Sequence, residues 1–367
     1  MPYNINQMNA LSKFFPVPEY MSMPAVGLDI SDQSVRFLEL KRKDGRFAIG
    51  KYGEKKVHKG IMEAGKLKDI AGMKEVLRII GKEQDFSFVN VSLPEEEAYL
   101  FRMKAPLVKL RELRGSIELQ IENYVPLKAS EVVFDYEIIS QDETGYDLEV
   151  SVLPKGVAQN YFDLFEGTDL IPLVFEIEAQ AIARAVIKRK DKGTYMVVDF
   201  GETRTGISVV SEGVLMFTLT LDAVGGHSLN EAIEKNFKVT SVEAELMKKE
   251  QGIRKTLGKD DLFQALIGPI SVLRDEINRH YVYWHTHRGD EGNGREKIEK
   301  IILCGGDANL LGLTDYLSAS LKVPVERANI WTNINYEEGL VPEIEFNDSL
   351  RYATAAGLAL GGFWGHD

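Results

Sequence analysis

The sequence predicts an α/β protein built from two lobes of similar topology, and three observations carry that expectation. A β-rich run, an aspartate at the strand end, a short turn and a second β-rich run occur twice, at Ala25–Leu40 and at Tyr195–Val210. In this repeat Asp29 matches Asp199, Ser31 matches Gly201 and Asp32 matches Glu202. Self-similarity at so wide a spacing implies two domains facing each other. A buried strand, Ile298–Cys304, then leads into Gly305-Gly306, and two small-residue helical stretches, Ile177–Ile187 and Ala353–Gly361, suit close packing against another element.

The whole-chain numbers fit that picture. A chain of 367 residues allows two or more domains with ample core. Its net charge of −12 gives no basic footprint for nucleic acid. The single cysteine, Cys304, excludes a disulfide framework and fits a reducing cytoplasm. No apolar run reaches the roughly 18 residues of a membrane helix, and no signal-peptide pattern opens the chain. A cytoplasmic protein is expected, reaching a membrane only through a partner.

Taken in order, residues 1–23 are rich in Met, Pro and aromatics and read as an irregular tail. Residues 24–94 form the first lobe, with Lys41–Arg46 as a hairpin turn. Residues 95–170 read as a small α+β insert. Within it Leu110, Leu113, Ile117, Ile121 and Tyr124 recur at three or four residues, which predicts a helix stopped before Pro126. Strands are expected over Val132–Ile139 and Asp147–Leu153, and a helix over Gly156–Glu166. Residues 171–193 return to the first lobe, 194–348 form the second, and 349–367 carry a helix back to the first. Inside the second lobe, 227–295 is expected as a helical subdomain. There Thr240–Glu243 reads as a capping box, Leu262–His287 as a long helix interrupted by Pro269, and Arg288–Arg295 as a Gly-rich loop. His280, His285 and His287 are spaced by five and two, so they do not stack on one helical face as metal ligands.

The chemistry points to phosphate. Gly201 lets backbone approach an anion, and Thr203 and Thr205 can direct hydroxyls at it. Asp199, at the strand end, suits a magnesium-bound water. Gly305 and Gly306 let the backbone lie flat against a ligand.

Two aspartate hairpins, a Gly-Gly loop and two crossing small-residue helices together resemble the actin-like (ribonuclease H-like) ATPase superfamily. Within it the chain is similar to the PilM family of type IV pilus assembly proteins, related to FtsA. The residues that carry this are Gly27-Leu-Asp-Ile, Ser34-Val-Arg-Phe-Leu-Glu-Leu, Gln120-Ile-Glu-Asn-Tyr-Val-Pro, Val198-Asp-Phe-Gly, Gly225-Gly226 and Leu303-Cys-Gly-Gly-Asp-Ala-Asn-Leu, with the insert inside the first lobe. The resemblance implies ATP or ADP with Mg²⁺ between the lobes. Asp29 with Ser34 would form the first phosphate loop, and Asp199, Gly201, Thr203 and Thr205 the second. Gly305, Gly306 and Asn309 would flank the adenosine, with Gly225 and Gly226 in the same nucleotide set, and Asp29 and Asp199 would hold magnesium through water. It also implies an assembly scaffold that binds the N-terminal tail of a PilN-like inner-membrane protein beside the insert. Other platform proteins and self-association are further expectations.

The chain departs from the family pattern at Ser31-Asp32-Gln33, at Glu202 and at Arg204. Carboxylates near a triphosphate repel it unless magnesium or Arg204 neutralises them, so slow or absent hydrolysis is expected, and no catalytic residue is assigned. Two other readings fit less well. A small-molecule kinase needs a general base beside its substrate pocket, and none is identified. An FtsA-like filament would end in a basic amphipathic helix, whereas this sequence ends Gly362-Phe-Trp-Gly-His-Asp.

Overall fold

Val26–Ile30 (β1) is buried along its whole length, so it needs cover on both faces and a neighbour on each edge. It pairs antiparallel with Ser34–Lys43 (β2), which continues into Arg46–Lys56 (β3). After a two-residue hairpin, Met62–Glu63 (β4) and Lys66–Leu67 (β5), comes the helix Ile70–Gln84 (α1). Asp69 caps α1 by accepting from the Gly72 N–H at 3.0 Å, and Met73, Val76, Leu77 and Ile80 bury one face. Phe88–Leu93 (β6) then lies parallel to β1. The computed structural model describes residues 25–43, 46–222, 224–254, 260–287, 295–334 and 343–364. The expected tail 1–23, the tip of the Lys41–Arg46 turn, nearly all of the loop Arg288–Arg295 and the last three residues lie outside them.

Tyr99–Pro106 (β7), the helix Leu110–Glu118 (α2), Val132–Gln141 (β8) and Gly145–Pro154 (β9) make a separate three-stranded sheet in the order β7-β9-β8. Its core includes Met103, Leu113, Ile117, Ile121, Leu148 and Val150. The expected helix to Tyr124 is shorter: α2 stops at Glu118, and a 3₁₀ turn follows at Ile121–Asn123. Bonds from Gln120 N–H to the Ile117 carbonyl and from Asn123 N–H to Gln120 tighten the chain, and Ile121 and Val125 both stay in the core. Lys155–Asp163 (α3) packs Tyr161 into the first-lobe core, and Ile171–Ile177 (β10) joins β6 in parallel. The helix Glu178–Val186 (α4) leads out of that sheet.

The second half repeats the plan. Thr194–Phe200 (β11), Thr205–Ser211 (β12) and Val214–Leu221 (β13) form an antiparallel meander. The helices Gly226–Phe237 (α5), Ser241–Gln251 (α6) and Asp260–Thr286 (α7) follow. Lys300–Cys304 (β14) then pairs parallel with β11, the helix Leu313–Leu321 (α8) crosses, and Val325–Arg327 (β15) adds parallel to β14. Strand order is β3-β2-β1-β6-β10 in one sheet and β13-β12-β11-β14-β15 in the other. Both sheets are antiparallel through three strands and parallel through the last two, so the repeat read in the sequence is a repeat of whole sheets.

Pro269 does not interrupt α7, contrary to expectation. Leu266, Ile270, Leu273 and Ile277 are buried on both sides of it, and that burial outweighs a proline's cost of about 3 kcal/mol inside a helix. The chain closes with Phe346–Ser349 (α9) and Ala353–Trp364 (α10). α10 packs against α4 and β1.

Candidate functional site

The repeated sheets turn equivalent strand ends toward one cleft of about 430 Å³, within the size range of small-molecule sites. Asp29 and Asp199 stand one residue from the ends of β1 and β11 and both line it. Asp29 accepts a hydrogen bond from the Ser92 hydroxyl at 3.2 Å and lies 3.8 Å from the Arg36 guanidinium. Burial raises its pKa, and Arg36 opposes that rise. Burial, joined by the charge of Asp29, pushes Asp199 up to about 6. Two such carboxyls facing one space favour a cation or its bound waters.

Of the expected residues, Gly201 and Thr203 on the β11–β12 turn and Gly305, Gly306 and Asn309 after β14 also line the cleft. Gly201 donates its N–H to the Arg204 carbonyl at 3.1 Å and so closes the turn. Gly305 has φ of +87°, and a Cβ there would stand 2.5 Å from the Asp199 carboxylate, so only glycine lets this loop pass so near. The remaining four are not brought to the cleft surface. Ser34 is buried at the start of β2. Thr205 donates its hydroxyl to the Val224 carbonyl at 2.6 Å. Gly225 and Gly226 open α5 behind the turn: the Gly226 N–H donates to the Gly201 carbonyl at 2.9 Å, and a side chain at 226 would overlap the Asp307 carboxylate.

Several charged groups in the cleft carried no legible signal. Arg36 pairs with Glu54 at 2.9 Å. Glu178, the first residue of α4, is bonded by Arg204 at 3.0 Å. Lys248 is only 4% exposed and touches Asp307 at 2.6 Å and Glu245 at 2.7 Å. Burial lowers the Lys248 pKa, but Asp307 and Glu245 outweigh it and hold the group above the usual lysine value. Glu245 and Lys248 fall one turn apart on α6, the only trace of this cluster in the sequence. Arg204 breaks the family pattern in the sequence, but its partners come from distant segments.

The arrangement can hold a polyanion with a cation at the aspartates and a neutral or polar group at the Gly305–Asn309 end. Among the described residues no group of three or more His, Cys, Asp or Glu is set up as a metal cage, so a cation here would keep part of its water shell.

Known proteins match the chain over nearly its full length. A solved structure described as the PilM-PilN type IV pilus biogenesis complex superposes with a TM-score of 0.77 at 20% identity, covering 93% of this chain and 99% of that one. The ethanolamine utilization protein EutJ from Carboxydothermus hydrogenoformans matches at 0.51 and 16% identity, with 97% of each chain covered. MreB5 of Spiroplasma citri bound to AMPPNP matches at 0.51 and 14%, covering 91% of this chain and 94% of that one. The fold is thus actin-like, as its repeated sheets indicate. No helix among the described residues is long and apolar enough to cross a membrane. The family model described as type IV pilus assembly protein PilM matches residues 27–363, and the chain belongs to that family.

Proposed function

We propose that this PilM-family chain is a cytoplasmic, nucleotide-binding scaffold of a type IV pilus platform, holding ATP or ADP with Mg²⁺ between its lobes and the N-terminal tail of a PilN-like membrane protein at its insert. The observation that carries the nucleotide reading is that Asp29, Asp199 and Gly305-Gly306 line one cleft together. Asp29 and Asp199 hold the magnesium through water, Gly201 and Thr203 meet the phosphates, and Gly305, Gly306 and Asn309 flank the nucleoside. Turnover is slow because Glu178, a cleft carboxylate that could take a proton from water, is tied to Arg204. Calorimetry with ATP and Mg²⁺ tests this, with Asp199→Ala as control. Absence of heat at millimolar nucleotide, or steady phosphate release above about one per second, overturns the corresponding part.

The partner reading rests on the insert, where β8 is an edge strand and Leu110, Leu119 and Tyr124 expose apolar side chains. An extended tail gains main-chain bonds from such an edge and specificity from side-chain contacts. The partner then keeps the protein at the inner membrane. Leu119 is 87% exposed, so Leu119→Asp leaves folding intact and should weaken a synthetic tail peptide. Unchanged binding to that variant and to Tyr124→Asp would place the tail elsewhere.

A further inference from the structure

Arg204 sits on the β11–β12 turn of the second lobe, but its side chain ends in the first. Its guanidinium lies 3.0 Å from Glu96, in the 3₁₀ turn between β6 and β7, and 3.8 Å from Asp32, in the β1–β2 turn. The other terminal nitrogen bonds Glu178 at 3.0 Å. The receiving side is shaped for it. The Asp32 carboxylate is pinned by the N–H groups of Ala64 and Gly65, each at 3.1 Å. Gly65 has φ of +73°, and a Cβ there would stand 2.8 Å from the Arg204 guanidinium and 2.5 Å from Glu96. A side chain at 65 would therefore fill the socket.

From this geometry we propose that Arg204 is a latch that holds the two lobes together across the cleft floor with no ligand bound. The latch lies beside the phosphate turns but does not depend on a nucleotide, so it goes beyond the function proposed above. Carboxylates from three separate segments, the β1–β2 turn, the 3₁₀ turn after β6 and the start of α4, converge on one planar cation, whose fork can meet several acceptors at once. Without that cation Asp32 and Glu96 lose the charged partner that reaches them from the second lobe, and the attraction holding the lobes together at this point is gone. A second contact runs the same way: the Thr220 hydroxyl of β13 donates to Glu95 at 3.2 Å. The positive charge also offsets part of the carboxylate charge at the floor and so lowers its repulsion of phosphate. Arg204 is a positioning residue in this scheme, since it sets the place of the Gly201–Thr203 turn relative to Asp29.

Spin labels at Lys59→Cys and Lys235→Cys, both exposed and one on each lobe, report the interlobe distance. The native Cys304 is buried and remains unlabelled. Without nucleotide, otherwise wild-type protein should give one narrow distance distribution. Arg204→Met should shift it to longer and broader distances, and Arg204→Lys, whose single ammonium reaches fewer partners, should restore it in part. If Arg204→Met fails to fold, Glu96→Gln and Gly65→Val retain Arg204 and should each broaden the distribution. Distributions that superimpose on wild type, in folded Arg204→Met or in both Glu96→Gln and Gly65→Val, overturn the latch. Because no nucleotide is added, failure here leaves the nucleotide reading standing, and the calorimetry above can fail independently.

Discussion

A side chain at Gly357 would overlap the carbonyl oxygen of Ala181, so α10 and α4 touch backbone to backbone where they cross. Gly27 of β1 has the same relation to the carbonyl of Ala355. The C-terminal helix is thereby wedged between the central strand of the first lobe and the helix that leads into the second. Neither carbonyl can rotate aside as a flexible side chain could.

Gly357→Val should therefore destabilise the protein by at least about 3 kcal/mol, beyond ordinary overpacking. Gly115 is the control, because it lies exposed in α2 with nothing within 4 Å of its would-be Cβ. Gly115→Ala should stabilise by about 0.5–1 kcal/mol. Urea denaturation of both variants measures the difference.

Lys248 and Asp307 form a nearly dry ion pair at 2.6 Å, with Glu245 as the half-exposed third member. Removing the cation leaves Asp307 buried and uncompensated. Lys248→Met should cost about 3 kcal/mol, and adding Asp307→Asn should recover a measurable part of it. A double-mutant cycle by chemical denaturation reads the coupling, and additive effects would show that the pair contributes nothing net.

Stability should fall as pH rises from about 4.5 to 7. Burial pushes Glu95 and Glu149 up to about 7, and burial with the Asp29 charge pushes Asp199 to about 6. In the unfolded chain these carboxyls titrate near 4. Between those values the native state binds more protons than the unfolded state, so each group removes up to ~1.4 kcal/mol per pH unit through the window. Glu245, held at about 2 by Lys248 and Asn230 despite partial burial, acts in the opposite sense only below that window. Thermal midpoints without ligand should drop from pH 5 to pH 7.5, and Glu95→Gln should flatten the slope. A flat or rising profile in wild type would contradict these carboxyl positions.

Local signals were read correctly where the physics is local. The Thr240–Glu243 capping box forms as its spacing requires: the Glu243 carboxylate accepts from Thr240 N–H at 2.8 Å. The paired strands and turns around Asp29 and Asp199 follow from β-rich runs broken by polar turn residues. The end of α2 and the passage of α7 through Pro269 differ from the sequence expectation because core burial, not neighbouring residues, decides them.

The sequence by itself determined the repeat, the aspartate at each strand end, the Gly305-Gly306 loop and the small residues that let α10 lie close. These are backbone requirements, and they write themselves into residue type at fixed spacing. The tertiary structure alone decided which charges share the cleft. Arg204 meets Asp32, Glu96 and Glu178, and Lys248 meets Asp307, across separations of tens to more than a hundred positions. An ion pair depends on distance in space and on exclusion of water, and neither is encoded by spacing along the chain.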